Sequence, residues 1–344
     1  MAVKKKKYEA PPAQMKELAP GVYAFLQPAF MFQSNSGLIV GKKWATVVDS
    51  QTNKQQIESF ITKIKAVTNK PVRFVINTHF DPDHTFTNHF FTDAGALAIA
   101  TAATRNETMK LHPCHRIALP KMLPEPLMSF DGIKMTPQDI TFEDTLRIYD
   151  GEHQIEVIDL GPAHTISDTV IYLPQEKVVF CGDLMLVGME KVFGTKPGVM
   201  NTDKGSLNAI HVLQKLAGFD AEHFVPGHGD VILSREEVVA KALQNIEFLM
   251  LVREEARKWF NRGVTYREAA ERFDYGKFKR WGNKDNLYTT IYGCCFRAWK
   301  EFKGELPLGA GSDMEETMAK MHRNPDGSYP DRIDLGYRRP WEDW

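Results

Sequence analysis

Residues Val72 to His84 constrain this chain more than any other stretch. Val72-Arg73-Phe74-Val75-Ile76-Asn77 is a compact run of strand-forming residues and reads as a buried strand. It leads directly into Thr78-His79-Phe80-Asp81-Pro82-Asp83-His84. Four side chains able to bind a metal ion thus fall within six residues, at a strand end where a turn can aim them at one point. Just upstream, Ile57, Phe60, Ile61, Ile64 and Val67 recur at helical spacing. Before them Val22 to Leu26, Ser36 to Gly41 and Ala45 to Asp49 read as short strands punctuated by Gly21, Gly37 and Gly41.

Beyond the histidines the pattern predicts a helix from Asp83 to Phe91 and another near Ala102. His112 to Met135 is dense in Pro, Leu and Met and follows neither period, which predicts a long loop or lid with short helical turns. A second strand series follows at Ile148, Ile155 to Leu160, Thr169 to Leu173 and Lys177 to Cys181. Helices at Lys204 to Leu216 and Arg235 to Asn261 flank a strand at His223 to Val225. Ser234 with Glu237, and Thr265 with Glu268, have the spacing of capping boxes. Two strand-and-helix halves in succession predict an α/β chain with helices packed outside two facing sheets. Residues 1–20, rich in Lys and Pro, read as a flexible leader, 21–302 as the catalytic domain, and 303–344 as an extended arm.

Charge and composition remove several function classes. With 43 basic and 44 acidic side chains there is no basic face for nucleic acid, and Lys4 to Lys7 is the one basic run. No apolar stretch approaches the ~18 residues that would span a bilayer. Four cysteines in 344 residues make no disulfide framework, so reduced thiols and a soluble, cytoplasmic protein are expected. Trp281, Trp299, Trp341 and Trp344, with Arg332, Arg338 and Arg339, suit an arm that wraps a neighbouring subunit, which predicts a homo-oligomer.

Three more ligand candidates end later strands: His164 in Gly161-Pro-Ala-His-Thr-Ile-Ser-Asp168, Asp183 in Cys181-Gly-Asp, and His228 in Pro226-Gly-His-Gly229. Each stands beside glycine, proline or another small residue, which lets the backbone turn sharply near a bound ion. Four imidazoles and three carboxylates suffice for two metal ions, and the set by itself does not name the metal.

The order His-x-Asp-x-Asp-His, His, Asp, His resembles the metallo-β-lactamase superfamily over roughly Gly21 to Leu233. The resemblance implies an αββα sandwich of two facing mixed β-sheets with outer helices and metals at one edge of the sheets. It also implies that His79 and His164 bind a first metal, that Asp83, His84 and His228 bind a second, and that Asp183 bridges them. Asp49 takes the place of a supporting carboxylate, or is simply a strand-ending turn residue.

Asp81 departs from the family pattern, which has histidine there. With Asp81, Asp83 and Asp183 ionised, two divalent cations and one hydroxide come to about net zero, a weaker Lewis acid but a better host for oxidised iron. Asp is also a methylene shorter than the Glu of flavodiiron-type relatives, leaving open a weak or empty first site. The expected cofactor is therefore zinc, one or two ions per chain, with iron as the alternative. The expected activity is hydrolysis by metal-activated hydroxide, with Asp83 or Asp81 moving the proton; the alternative is a di-iron oxygenase. The residues after Leu233 lack the alternation of a flavin domain.

Phe30, Met31 and Phe32 fall on the loop that overhangs the metals in this superfamily, and Met185 and Phe193 follow the candidate bridging Asp. Unless each merely packs in the core, they make an apolar pocket for a small hydrophobic, aromatic substrate: an ester or lactone, or an activated aryl halide or aryl ether. No positively charged cluster in these loops calls for a phosphodiester or sulfate ester, though Lys191 and Lys196 could contribute. His89 reads as a packing residue. His112, Cys114 and His115 could hold a further structural metal but lack an evident fourth ligand.

Overall fold

In the computed structural model, which describes residues 12–28, 32–122, 130–187, 205–280 and 284–305, the strand alternation sorts apolar side chains onto two faces. Strands β1 (Gln14–Ala19), β2 (Val22–Leu26), β3 (Ser36–Val40) and β4 (Ala45–Val48) form an antiparallel meander. Helix α1 (Lys54–Val67), whose first turn is capped by Asn53 accepting from the Gln56 N–H, carries the chain over to β5 (Val72–Ile76), parallel to β4. Two short helices, α2 (Pro82–Thr85) and α3 (His89–Thr92), precede β6 (Leu97–Thr101). Helix α4 (Ala102–Met122) leads on to β7 (Ile140–Phe142), and β5, β6 and β7 are parallel.

The second sheet repeats the plan. Strands β8 (Thr145–Tyr149), β9 (Gln154–Gly161), β10 (Asp168–Leu173) and β11 (Val178–Phe180) are antiparallel neighbours. After α5 (Ser206–Ala217), β12 (His223–Val225) pairs parallel to β11. Helices α6 (Arg235–Phe260), α7 (Tyr266–Glu271) and α8 (Lys284–Phe302) complete the described chain. Both capping boxes form, Ser234 with Glu237 and Thr265 with Glu268.

The two mixed sheets, seven and five strands among the described residues, face each other. Val22, Leu26, Ile39 and Ile76 meet Val157, Ile171, Phe180 and Val225 between them. The next residues along the same strands, Phe25, Leu38 and Val75, point outward onto Ile57, Phe60 and Ile64 of α1. On the far side Val170, Val179 and Phe224 pack against Val212, Leu213 and Leu216 of α5 and Val238 and Leu249 of α6. This is the αββα sandwich. Each fully buried Leu, Ile or Phe in these layers contributes ~1.5–3 kcal/mol. Among the described residues no helix is long and apolar enough to cross a membrane, and buried Cys181, Cys294 and Cys295 carry no disulfide.

Three expectations are corrected. The flexible leader of residues 1–20 is too long, because Gln14–Ala19 forms the edge strand β1; an edge needs only one partner and tolerates the polar residues that hide it. The loop expected from His112 onward begins as helix, since α4 runs to Met122 through Pro113 and Pro120. Among the described side chains of α4 the buried ones are Thr104, Glu107, Thr108, Leu111, His112 and His115, so its inner face is largely polar and shows no hydrophobic period. The helix expected from Asp83 to Phe91 is split into α2 and α3.

Candidate metal centre

Every ligand candidate leaves a strand at the same edge of the sandwich. The site is organised by Asp49, which ends β4 in the left-handed region at φ 55°, an uncommon conformation outside glycine. Its Oδ1 accepts from the Thr78 N–H at 2.8 Å, and its Oδ2 accepts from the Thr78 hydroxyl and from His84 Nδ1, both at 2.8 Å. Because the Thr78 hydroxyl proton is committed to Asp49, its oxygen accepts from His79 Nδ1 at 2.9 Å. Both imidazoles are thereby held with Nδ1 protonated and Nε2 turned into the site.

Asp81 occupies the N-cap of α2, where aspartate ordinarily accepts from the first-turn amides. Here it makes no side-chain cap bond, and its Oδ2 lies 3.1 Å from His164 Nε2 and 3.5 Å from His79 Nε2. The short side chain therefore does reach the first group of candidates. His164 rides on a loop gathered by Asp168, whose carboxylate accepts from the Ala163, His164 and Thr165 N–H groups at 2.7–3.0 Å.

Asp183 stands between the two groups. Its Oδ1 is 3.2 Å from His84 Nε2, and its Oδ2 is 3.4 Å from both His164 Nε2 and His228 Nε2. Glycine at 227 is required for this approach, because a Cβ there would run into Asp183 Oδ1 and the Gly182 backbone. Asp83 Oδ2 is 3.0 Å from His228 Nε2 and 3.8 Å from His84 Nε2. The loop carrying His228 is tied down by Asn35, whose Nδ2 donates to the carbonyls of Pro226 at 2.9 Å and Gly229 at 2.6 Å.

The donors form two adjoining groups, His79, Asp81, His164 and Asp183, and Asp83, His84 and His228, with ligand atoms in each within 4.8 Å of one another. They fit divalent cations by their chemistry and by what they lack. His79 Nε2, His84 Nε2 and Asp183 Oδ1 are buried without a hydrogen-bond partner, the close His84–Asp183 pair being misaligned for one. An unsatisfied buried polar atom costs about 1–3 kcal/mol, which a bound ion relieves.

The electrostatics agree. Burial is the largest influence on His84, His164 and His228 and pulls each pKa down, but the carboxylates outweigh it. Asp81, Asp183 and Asp168 push His164 up to about 10, Asp183 and Asp83 push His228 up to about 9, and Asp49, Asp183 and Asp83 hold His84 well above the usual value. Burial likewise pushes Asp81 and Asp183 upward, and their histidine partners reverse it, leaving both well below the carboxylate range. A site that attracts protons this strongly attracts a cation in their place, with proton release.

Around the centre, Phe32 has φ 57°, its carbonyl accepting from the Thr52 hydroxyl at 2.7 Å and from Gln56 Nε2 at 3.1 Å. Its side chain packs against a cluster of Phe86, Phe130 and Ile133. Met185, expected to line the substrate pocket, is corrected: it is 1% exposed and packs in the core beneath α5 and α6, because the 3-10 turn Gly182–Leu184 turns it inward. Phe30, Met31 and Phe193, together with Lys191 and Lys196, lie outside the described residues. His89 is buried in packing, and burial lowers its pKa. His112 and His115 join neither group of donors. The sequence reading passed over Thr78 and Asp168. The available signals were a hydroxyl directly before the first histidine and an aspartate closing a loop of small residues four positions after His164.

A family model described as the metallo-β-lactamase superfamily matches residues 30–228. Over 272 residues the chain is 21% identical to a linear primary-alkylsulfatase from Pseudomonas sp., covering 70% of this chain and 49% of that enzyme. The chain thus spans about half the length of that curated relative. A metallo-β-lactamase from Pontibacter korlensis superposes with a TM-score of 0.52 at 19% identity, over 68% of this chain and 99% of that one. A stereoselective inverting sec-alkylsulfatase from Pseudomonas sp. superposes with a TM-score of 0.62 at 14% identity, over 88% of this chain and 52% of that one. At such identities the structural likeness speaks for the fold.

Proposed function

The chain belongs to the metallo-β-lactamase superfamily, and we propose that it is a metallo-hydrolase that holds two divalent ions, zinc foremost, and hydrolyses a small hydrophobic ester-type substrate. The observation that carries this reading is the pair of buried donor groups meeting at Asp183. His79, Asp81 and His164 would hold one ion, Asp83, His84 and His228 the other, with Asp183 shared. When bound, such ions supply a nucleophile at neutral pH by acidifying water to a pKa of about 7. Asp49 and Thr78 orient two of the imidazoles. Asp83, buried beside the second group, or Asp81, whose side chain is 29% exposed, would accept the proton released from that water.

Phe32, half-buried against the core residues Phe86 and Phe130, is the described aromatic side chain that supports an apolar or aromatic substrate, whether ester, lactone, aryl halide or aryl ether. The alkylsulfatase relatives add hydrophobic sulfate esters to that class. The test is turnover of a panel of lactones, aryl esters, activated aryl halides and ethers, and primary and secondary alkyl sulfates. Hydrolysis lost on chelation and restored by zinc is the expected result; no metal-dependent turnover of any of them refutes the reading. Asp81 motivates a second reading, a di-iron oxygenase, which iron near two equivalents per chain together with oxygen consumption would bring to the front.

A further inference from the structure

His112 lies on α4, an element that supplies none of the candidate ligands, yet it grips the loop that supplies four. Its Nε2 is 3.0 Å from the Phe80 carbonyl oxygen and 3.0 Å from the Thr85 hydroxyl. A carbonyl only accepts, so Nε2 carries the proton and donates. Thr85 completes the clamp, donating from its hydroxyl toward the Asp81 carbonyl at 2.7 Å and the Phe80 carbonyl at 3.1 Å. The peptide between Phe80 and Asp81 is therefore fixed from behind by a buried ring and a buried hydroxyl. That ring is itself set edge-on to Phe86 at 4.6 Å, and Phe86 against Phe130 at 5.0 Å. Burial, then the neighbouring His115, pushes the His112 pKa down to about 3, so the donor stays neutral and does not compete with a cation.

The clamp acts where the site is weakest. Asp81 is the most exposed of the donor carboxylates, and no cap bond steadies its side chain. We infer that His112 is a positioning residue, which by holding the Phe80–Asp81 peptide keeps the Asp81 carboxylate on the first metal position. The inference rests on the two-ion reading above and extends it to a residue outside the donor set.

The test is titration of the chelator-treated full chain with zinc, and with cobalt as a spectroscopic probe, for the wild type, His112→Phe, His112→Gln and Thr85→Val. Supporting outposts of metal ligands typically change affinity by about 10–100-fold. His112→Phe is expected to weaken one of two ions by that factor and leave the other unchanged. His112→Gln, which keeps an N–H donor, recovers most of the loss, and Thr85→Val shows a smaller weakening of the same ion. Unchanged binding of both ions by His112→Phe, or equal weakening of both, overturns the inference while leaving the two-ion reading intact. A wild type that takes only one ion overturns both. If His112→Phe does not fold, Thr85→Val decides, and wild-type affinity in that variant overturns the inference.

Discussion

The two candidate metal positions are built from similar donors but supported differently. The second, Asp83, His84 and His228, is closed on every side: these side chains are at most 7% exposed, His84 is braced by Asp49, and the His228 loop is tied by Asn35. The first, His79, Asp81 and His164, is open at Asp81, with Thr78 bracing His79 and Asp168 gathering the His164 loop. The two positions thus differ in the exposure of one ligand, Asp81, which leaves the first without the enclosure that holds the second. Asp183 joins them, so Asp183→Ala should have the largest effect. Both ions should be weakened, and turnover should fall by about 10³-fold or more, as when a group central to charge stabilisation is removed. Elemental analysis beside kinetics checks it, and loss of only one ion would break the symmetry assigned to Asp183.

Asp81→Ala and Asp83→Ala separate the two positions directly. Asp81→Ala should leave about one ion per chain, held at the closed position, whereas Asp83→Ala should weaken the closed position and with it the occupancy of both. Equal stoichiometry in the two variants would erase the distinction between an open and a closed position. A smaller effect is expected from Asp49→Asn. Asparagine still accepts from Thr78, but its amide cannot keep the charge-assisted bond to His84 Nδ1. The second ion should weaken by about 10–100-fold and the first by less, since His79 is reached only through the Thr78 hydroxyl, read by competition with a chelating dye.

The same contrast explains how much was legible in sequence. His79, Asp83, His84, His164, Asp183 and His228 stood out because strand ends, glycines and ligand types coincide in a short pattern, and the capping boxes of α6 and α7 stood out because their geometry is local. Strands β6 and β7 and the continuation of α4 past His112 were not legible. Leu97-Ala-Ile-Ala-Thr101 is short and alanine-rich, and the inner face of α4 gains its burial from Thr104, Thr108, His112 and His115, which packing stabilises and periodicity does not reveal. Met185 shows the converse failure, since position after Asp183 says nothing of which way a 3-10 turn directs a side chain. The bonds that support the closed position, Asp49 to His84 and Asn35 to the His228 loop, join residues far apart in sequence and were hidden for the same reason.

The smallest expected effect is on the pH dependence of stability, and it sharpens the contrast. In the metal-free protein His228 and His164 have pKa values raised to about 9 and about 10. A raised histidine stabilises the fold fully below its unfolded value of about 6.5, and that contribution is lost as pH rises through the folded value. The melting temperature of the metal-free chain should therefore decline from about pH 6.5 upward, the share of His228 being lost by about 9 and that of His164 by about 10. Zinc affinity should move the opposite way, since the ion displaces these protons and gains as they become easier to remove. Calorimetric titration at a series of pH values checks the trend, and a zinc affinity that does not change with pH would mean that His84, His164 and His228 hold no proton for the ion to displace.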